Sequence, residues 1–140
     1  MLTKHGIKVR KYALKIYYAF LQNDEPAEAI ANKLINFSNV DKEKVEQAVR
    51  LVKDVDSKKE YYDEIISKYL RKGWTIDRLP FLDLIILRLS VHEMFNMKDI
   101  VMVINDYVSL ASRYSEEKSS NYINGILDNI KKDFSLGKWK

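Results

Sequence analysis

The stretch Phe81-Leu82-Asp83-Leu84-Ile85-Ile86-Leu87-Arg88-Leu89-Ser90-Val91-His92-Glu93-Met94-Phe95 decides the fold class. Wound as a helix it is apolar nearly all round, and such a helix is a central one, packed on more than one side. A buried strand is the competing reading. Strands usually run about 4–8 residues, so the length of this run and its leucine content favour a helix.

Helical periodicity continues in both directions from there. Upstream, Tyr61/Tyr62, Ile65/Ile66 and Tyr69/Leu70 make one stripe. Ser57-Lys58-Lys59-Glu60 ahead of it matches a capping box, and Gly73 is placed to close the helix. Residues 73–80 are read as the main connection, with Trp74 and Leu79 anchored in the core. Downstream, Val101, Ile104, Val108 and Ala111 form one buried face. Tyr122/Ile123, Ile126/Leu127 and Ile130 form another, with Gly125 in mid-helix, where it costs ~1 kcal/mol against Ala unless close packing needs it. Nearer the N-terminus, Val9, Ala13, Ile16 and Phe20 recur at helical spacing in a helix ending near Gln22, and Pro26 starts the next, which carries Ile30, Leu34 and Ile35. A third helix begins near Asp41 and buries Val45, Ala48, Val49 and Val52. The pattern predicts an all-α fold of about seven helices, four plus three around the central apolar one.

Composition agrees. The 140 residues make one ordinary domain, long enough to bury a core without a disulfide or metal staple. No cysteine is present, which excludes a disulfide framework, a thiolate zinc site and a cysteine nucleophile. Four glycines and two prolines are too few for the turns of a sandwich or barrel. The longest apolar runs fall far below the ~18 residues that span a bilayer, and no signal peptide is legible, so a soluble cytoplasmic protein is expected.

Charge is unevenly placed. Residues 1–23 carry Lys4, Lys8, Arg10, Lys11 and Lys15 and no acid, and residues 131–140 carry Lys131, Lys132, Lys138 and Lys140 against Asp133. Acids outnumber bases between them. Basic ends on a neutral-to-acidic body fit phosphate binding, through release of condensed counterions, while the plainer reading is that lysines keep solvated termini soluble. Lys8, Lys11 and Lys15 share one helix face.

Signatures of catalysis are missing. His92-Glu93 opens like the zinc motif H-E-x-x-H, but Asn96 stands at the second ligand position, so His92 reads as structural. Asp54-x-Asp56 followed by Glu60 lacks the glycine and spacing of a calcium loop. Neither a glycine-rich phosphate loop nor a nucleophile elbow occurs. The pairs Asp63/Glu64 and Glu116/Glu117 are helix neighbours that point apart. No enzyme, metal or cofactor is expected. Of nine tyrosines, Tyr61, Tyr69 and Tyr107 fit core positions. Tyr18 and Tyr122 lie beside apolar stripes with polar neighbours, where a ring can stack on an unpaired base.

Three blocks then carry a resemblance. Arg78-Leu79…Asp83 to Glu93 is similar to the central helix of the NusB family of bacterial transcription antitermination factors. Val103-Ile104-Asn105-Asp106-Tyr107-Val108-Ser109-Leu110-Ala111-Ser112-Arg113-Tyr114 resembles that family's V-I-N-E-x-V-E-L-A-K-x-Y/F, and Ser119-x-x-Tyr122-Ile123-Asn124-Gly125-Ile126-Leu127-Asp128 its S-x-x-F-V-N-G-V-L-D. Arg10, Ala13-Leu14 and Tyr18 add a weaker N-terminal match. The resemblance implies one helical RNA-binding domain over 1–140, built as two helical bundles, the N-terminal about 1–72 and the C-terminal about 73–140. It implies binding of boxA RNA in ribosomal leader transcripts together with NusE, a small-subunit ribosomal protein, within an RNA polymerase antitermination complex. RNA contact then falls on Lys4, Lys8, Arg10, Lys11, Tyr18, Arg88 and Tyr122, and the NusE-facing surface on Asp77, Asp83 and Lys118. The basic start is mostly lysine where many family members carry an arginine-rich run, and Lys118 stands where the family is often acidic. Arg88 has two readings: an internal salt bridge with an acid such as Asp83 or Glu93, or a guanidinium emerging beside the RNA path.

Two other readings stay open at this level. One is a non-catalytic helical adaptor or self-associating domain, since some family members form homodimers that cover the RNA surface. The other is a stand-alone relative of the helical RNA-binding domain that precedes the catalytic domain of some ribosomal-RNA methyltransferases. The chain has no cofactor-binding βαβ pattern, so it does not itself transfer methyl groups.

Overall fold

The computed structural model describes residues 6–96 and 99–139, and among them every regular element is helical. Seven α-helices follow in order: α1 (Ile7–Asn23), α2 (Ala27–Phe37), α3 (Lys42–Ser57), α4 (Lys59–Ser67), α5 (Phe81–Asn96), α6 (Ile100–Tyr114) and α7 (Glu117–Ser135). A 3₁₀ turn, Ile76–Arg78, precedes α5. None of the helices is long and apolar enough to cross a membrane. The described residues fall into two compact units, one up to Lys58 and one from Lys59.

In the first unit α1, α2 and α3 pack on one another. The buried residues of α3, Val45, Ala48, Leu51, Val52 and Val55, recur every three or four positions and make one continuous inward face. Asp41 caps this helix, its carboxylate accepting from the Lys44 N–H at 3.3 Å. α1 ends at Asp24, whose φ of 52° lies in the left-handed region that Asp tolerates better than most residues. Tyr17, fully buried, donates its hydroxyl to Asp56 at 3.0 Å and ties α1 to α3.

The apolar stripe of α3 runs on to Val55, so the helix persists through Ser57 and the expected capping box does not form. The Ser57 hydroxyl instead donates back to the Asp54 carbonyl at 2.7 Å. α4 ends at Ser67, and Gly73 takes its φ of +84° in the turn that leads to Trp74, beyond the helix it was expected to close.

In the second unit α5 packs against α4, α6 and α7. Every residue from Asp83 to Met94 is buried, as an all-round apolar helix requires. Five of those twelve are polar, and each has a partner. The Arg88 guanidinium grips Asp63 with two bonds, Nε to Oδ1 at 2.7 Å and Nη2 to Oδ2 at 2.6 Å. His92 Nδ1 lies 2.6 Å from the Tyr62 hydroxyl. Tyr107 donates its hydroxyl to Glu93, Ser115 donates to Asp83, and Ser90 donates to the Ile86 carbonyl. Pairing of this kind is what makes polar side chains tolerable in a core. Leu79 is buried as expected, whereas Trp74, Tyr61 and Val101 stand about 39%, 40% and 54% exposed. A Cβ added at Gly125 meets nothing within 4 Å, so no close approach inside the chain requires glycine there.

The C-terminal segment folds back on the turn after α4. The Trp139 indole N–H donates to the Tyr69 hydroxyl at 2.8 Å, and that hydroxyl donates to Asp133 at 2.5 Å. Lys68 lies over the Trp139 ring at 5.1 Å. Burial first, then the neighbouring Asp133 carboxylate, raises the Tyr69 hydroxyl above its ordinary pKa, and the Tyr69 hydrogen bond holds the Asp133 carboxyl below its own. The depressed carboxyl contributes stability above the ordinary carboxylate range and loses it as pH falls through the lowered value. The raised phenol contributes stability below the ordinary tyrosine range and loses it as pH rises through the raised value. The clamp is therefore strongest between those limits. Tyr69→Phe is expected to lower its local opening free energy by about 1 kcal/mol. Faster amide exchange at Gly137 and Lys138, which bond the Phe134 and Asp133 carbonyls, checks this; unchanged exchange at neutral pH contradicts it.

Candidate nucleic-acid interface

On α1, the positions 8, 11, 15 and 18 follow one another at helical spacing. Lys8 and Lys15 are exposed, Lys11 is half-buried and Tyr18 is 37% exposed. The helix has no acid along its length, so this stripe is a run of positive charge ending in an accessible ring. Arg10, on another face, is fully buried and engaged inside the protein. Its charge is thus withdrawn from any phosphate in solvent, which corrects the expectation of an RNA contact there. Lys4 lies outside the described residues.

The second place is the connection between α4 and α5 where it meets the start of α7. The Tyr122 hydroxyl accepts the Arg71 backbone N–H at 2.8 Å, and the Arg71 guanidinium lies over the Tyr122 ring at 5.0 Å and near the Trp74 ring at 5.9 Å. Both are within the range of cation–π attraction. An open cleft of about 200 Å³ runs between these groups, lined by Arg71, Trp74, Leu79, Pro80, Asp83, Lys118, Ser119 and Tyr122. Aromatic faces interleaved with cations are the make-up of a site for unpaired nucleic acid.

Tyr122 and Lys118 were legible in the sequence as site residues; Arg71 and Trp74 were not, although Arg71-Lys72-Gly73-Trp74 carries the same basic–aromatic signal. A larger cleft of about 410 Å³ in the first unit is lined by Asp24, Glu25, Glu28 and Asp56 against a single cation, Lys53, and its sign repels phosphate.

The remaining expected residues separate by burial. Arg88 is committed to Asp63 and is 7% exposed, so its guanidinium does not emerge beside an RNA path. The acid it grips with both prongs is Asp63 on α4, which the sequence reading does not name as its partner. Asp77 is exposed in the 3₁₀ turn, and its carboxyl lies below the ordinary range because the Thr75 hydroxyl donates to it. Asp83 is 3% exposed, and Lys118 is exposed in the first turn of α7. No cluster of potential metal ligands occurs among the described residues.

The NusB family profile matches residues 7–132 of this chain. The transcription antitermination protein NusB of Methylacidiphilum infernorum (isolate V4) is 33% identical over 137 residues, covering 94% of each sequence. The structure of T. maritima NusB superposes with a TM-score of 0.78 at 30% identity, covering 94% of both chains. A crystal structure of the antitermination factors NusB and NusE in complex with dsRNA contains a chain with TM-score 0.77 and 30% identity, covering 91% of this chain and 96% of that one.

Proposed function

Because this chain belongs to the NusB family of transcription antitermination factors, we propose that it binds a boxA-type strand of ribosomal leader RNA together with NusE. It acts in the cytoplasm, without catalysis, as part of the assembly that carries RNA polymerase through terminators. The observation that carries this reading is the Arg71 guanidinium lying over the Tyr122 ring and near the Trp74 ring beside an open cleft. A relative at 30% identity that has been crystallised with NusE and RNA supports it.

RNA contact is assigned to Lys8, Lys11 and Tyr18 on α1, and to Tyr122, Arg71 and Lys118 around the cleft. The lysines neutralise phosphates, while Tyr18 and Tyr122 offer ring faces to unstacked bases. Lysine supplies charge without the bidentate fork of arginine, so the α1 stripe holds the backbone loosely and the complex relies on NusE for affinity. Exposed Asp77 is the acid available to NusE.

Fluorescence anisotropy of a labelled boxA strand, with and without NusE at two salt concentrations, tests this. Tighter binding with NusE is expected, with log affinity falling by about 0.7 per neutralised phosphate for each decade of salt. Absence of binding at low salt with NusE present contradicts the reading and leaves a helical adaptor.

A further inference from the structure

Asp83 is 3% exposed and yet lines the cleft beside Tyr122. Its Oδ1 accepts from the Ser115 hydroxyl at 3.0 Å, and among the described residues nothing donates to its Oδ2. A carboxylate has acceptors only, and an oxygen taken from water without a donor is costly to keep. The cleft therefore holds two aromatic faces, Trp74 and Tyr122, two cations, Arg71 and Lys118, and one buried oxygen in need of an N–H. Its volume of about 200 Å³ is below that of drug-sized pockets and in scale with a single planar ring system.

Building on the RNA-binding reading, we propose that this cleft takes one guanine of the bound strand, whose N1–H and N2–H donate to Asp83. Guanine alone among the four bases sets two donors side by side on its Watson–Crick edge. Adenine and cytosine place a ring-nitrogen acceptor beside their amine, and uracil flanks its one N–H with two carbonyls. Those acceptors would meet the carboxylate oxygens and be repelled. Each carboxylate oxygen has two lone pairs, so the Ser115 bond leaves Oδ1 free to accept again. The ring of the base stacks on Tyr122 or Trp74, and Arg71 and Lys118 meet the flanking phosphates. Asp83 thereby becomes a specificity residue for RNA, where family resemblance alone assigned it to NusE.

The test uses the full chain with NusE and a fluorophore-labelled boxA strand in which each guanine in turn is replaced by inosine, which lacks only the exocyclic amine. At one position the replacement is expected to weaken binding about tenfold, the usual size of a lost hydrogen bond to a charged group. Asp83→Asn is expected to weaken the parent strand and abolish the guanine–inosine difference, because the amide turns a donor toward the base. The inosine series needs no variant, so a folding defect in Asp83→Asn leaves it intact. If the parent strand binds and every inosine strand binds equally well, the guanine pocket is overturned while the RNA-binding reading stands. If Asp83→Asn weakens NusE binding without RNA and leaves the guanine–inosine ratio unchanged, the cleft docks protein and the proposal fails. If the parent strand does not bind, both readings fall together.

Discussion

Asp63→Ala is expected to lower the unfolding free energy by about 3 kcal/mol, the lower end of the cost of breaking a buried ion pair from one side, because the Asp63 side chain keeps 22% of its surface exposed. Arg88 sits in the middle of α5 with its side chain 8% exposed, and Asp63 on α4 is its two-pronged acceptor. Removing the acid leaves a guanidinium among apolar neighbours with its main counter-charge gone. The pair as such adds little over an apolar pair of the same volume, so replacing both residues, Asp63→Leu with Arg88→Met, is expected to recover most of the loss. Urea unfolding followed by circular dichroism reads both values. A loss under about 1 kcal/mol for Asp63→Ala, the range of exposed pairs, contradicts this account.

Tyr122→Asp is expected to reduce boxA affinity by well over tenfold. The ring face is worth about 1–3 kcal/mol if a base stacks on it, and the new carboxylate adds repulsion toward phosphate. It also removes the aromatic partner of Arg71, which lies 5.0 Å from the ring. Tyr122→Phe keeps the face and is expected to bind RNA nearly as well, although the Arg71 backbone N–H loses its acceptor. Tyr122 is only half-buried on α7, so neither change should move the unfolding midpoint far. Equal affinity of Tyr122→Asp and the parent protein removes Tyr122 from the interface.

Arg10 and Arg88 show where sequence reading stops. The resemblance makes Arg10 an RNA contact, and Arg88 is readable either as an RNA contact or as half of an internal ion pair. Arg10 lies fully buried, and Arg88 meets an acid 25 positions earlier in the chain. Trp74 shows the opposite case: a large ring expected in the core stands 39% exposed, beside an arginine and a cleft. The misplaced capping box has a local cause, since the α3 stripe continues one turn further than the Ser-x-x-Glu signal allowed.

By itself the sequence determined the all-α class, the seven helices, the central position of Phe81–Asn96 and the family, because helical periodicity and short motifs are set by residues close together in the chain. Only the tertiary structure decided which charges are neutralised inside and which face water. That choice depends on partners far apart in sequence: Asp63 for Arg88, Ser115 for Asp83, Arg71 for Tyr122. A buried charge costs far more free energy when no such partner arrives, and its arrival is a property of packing rather than of spacing.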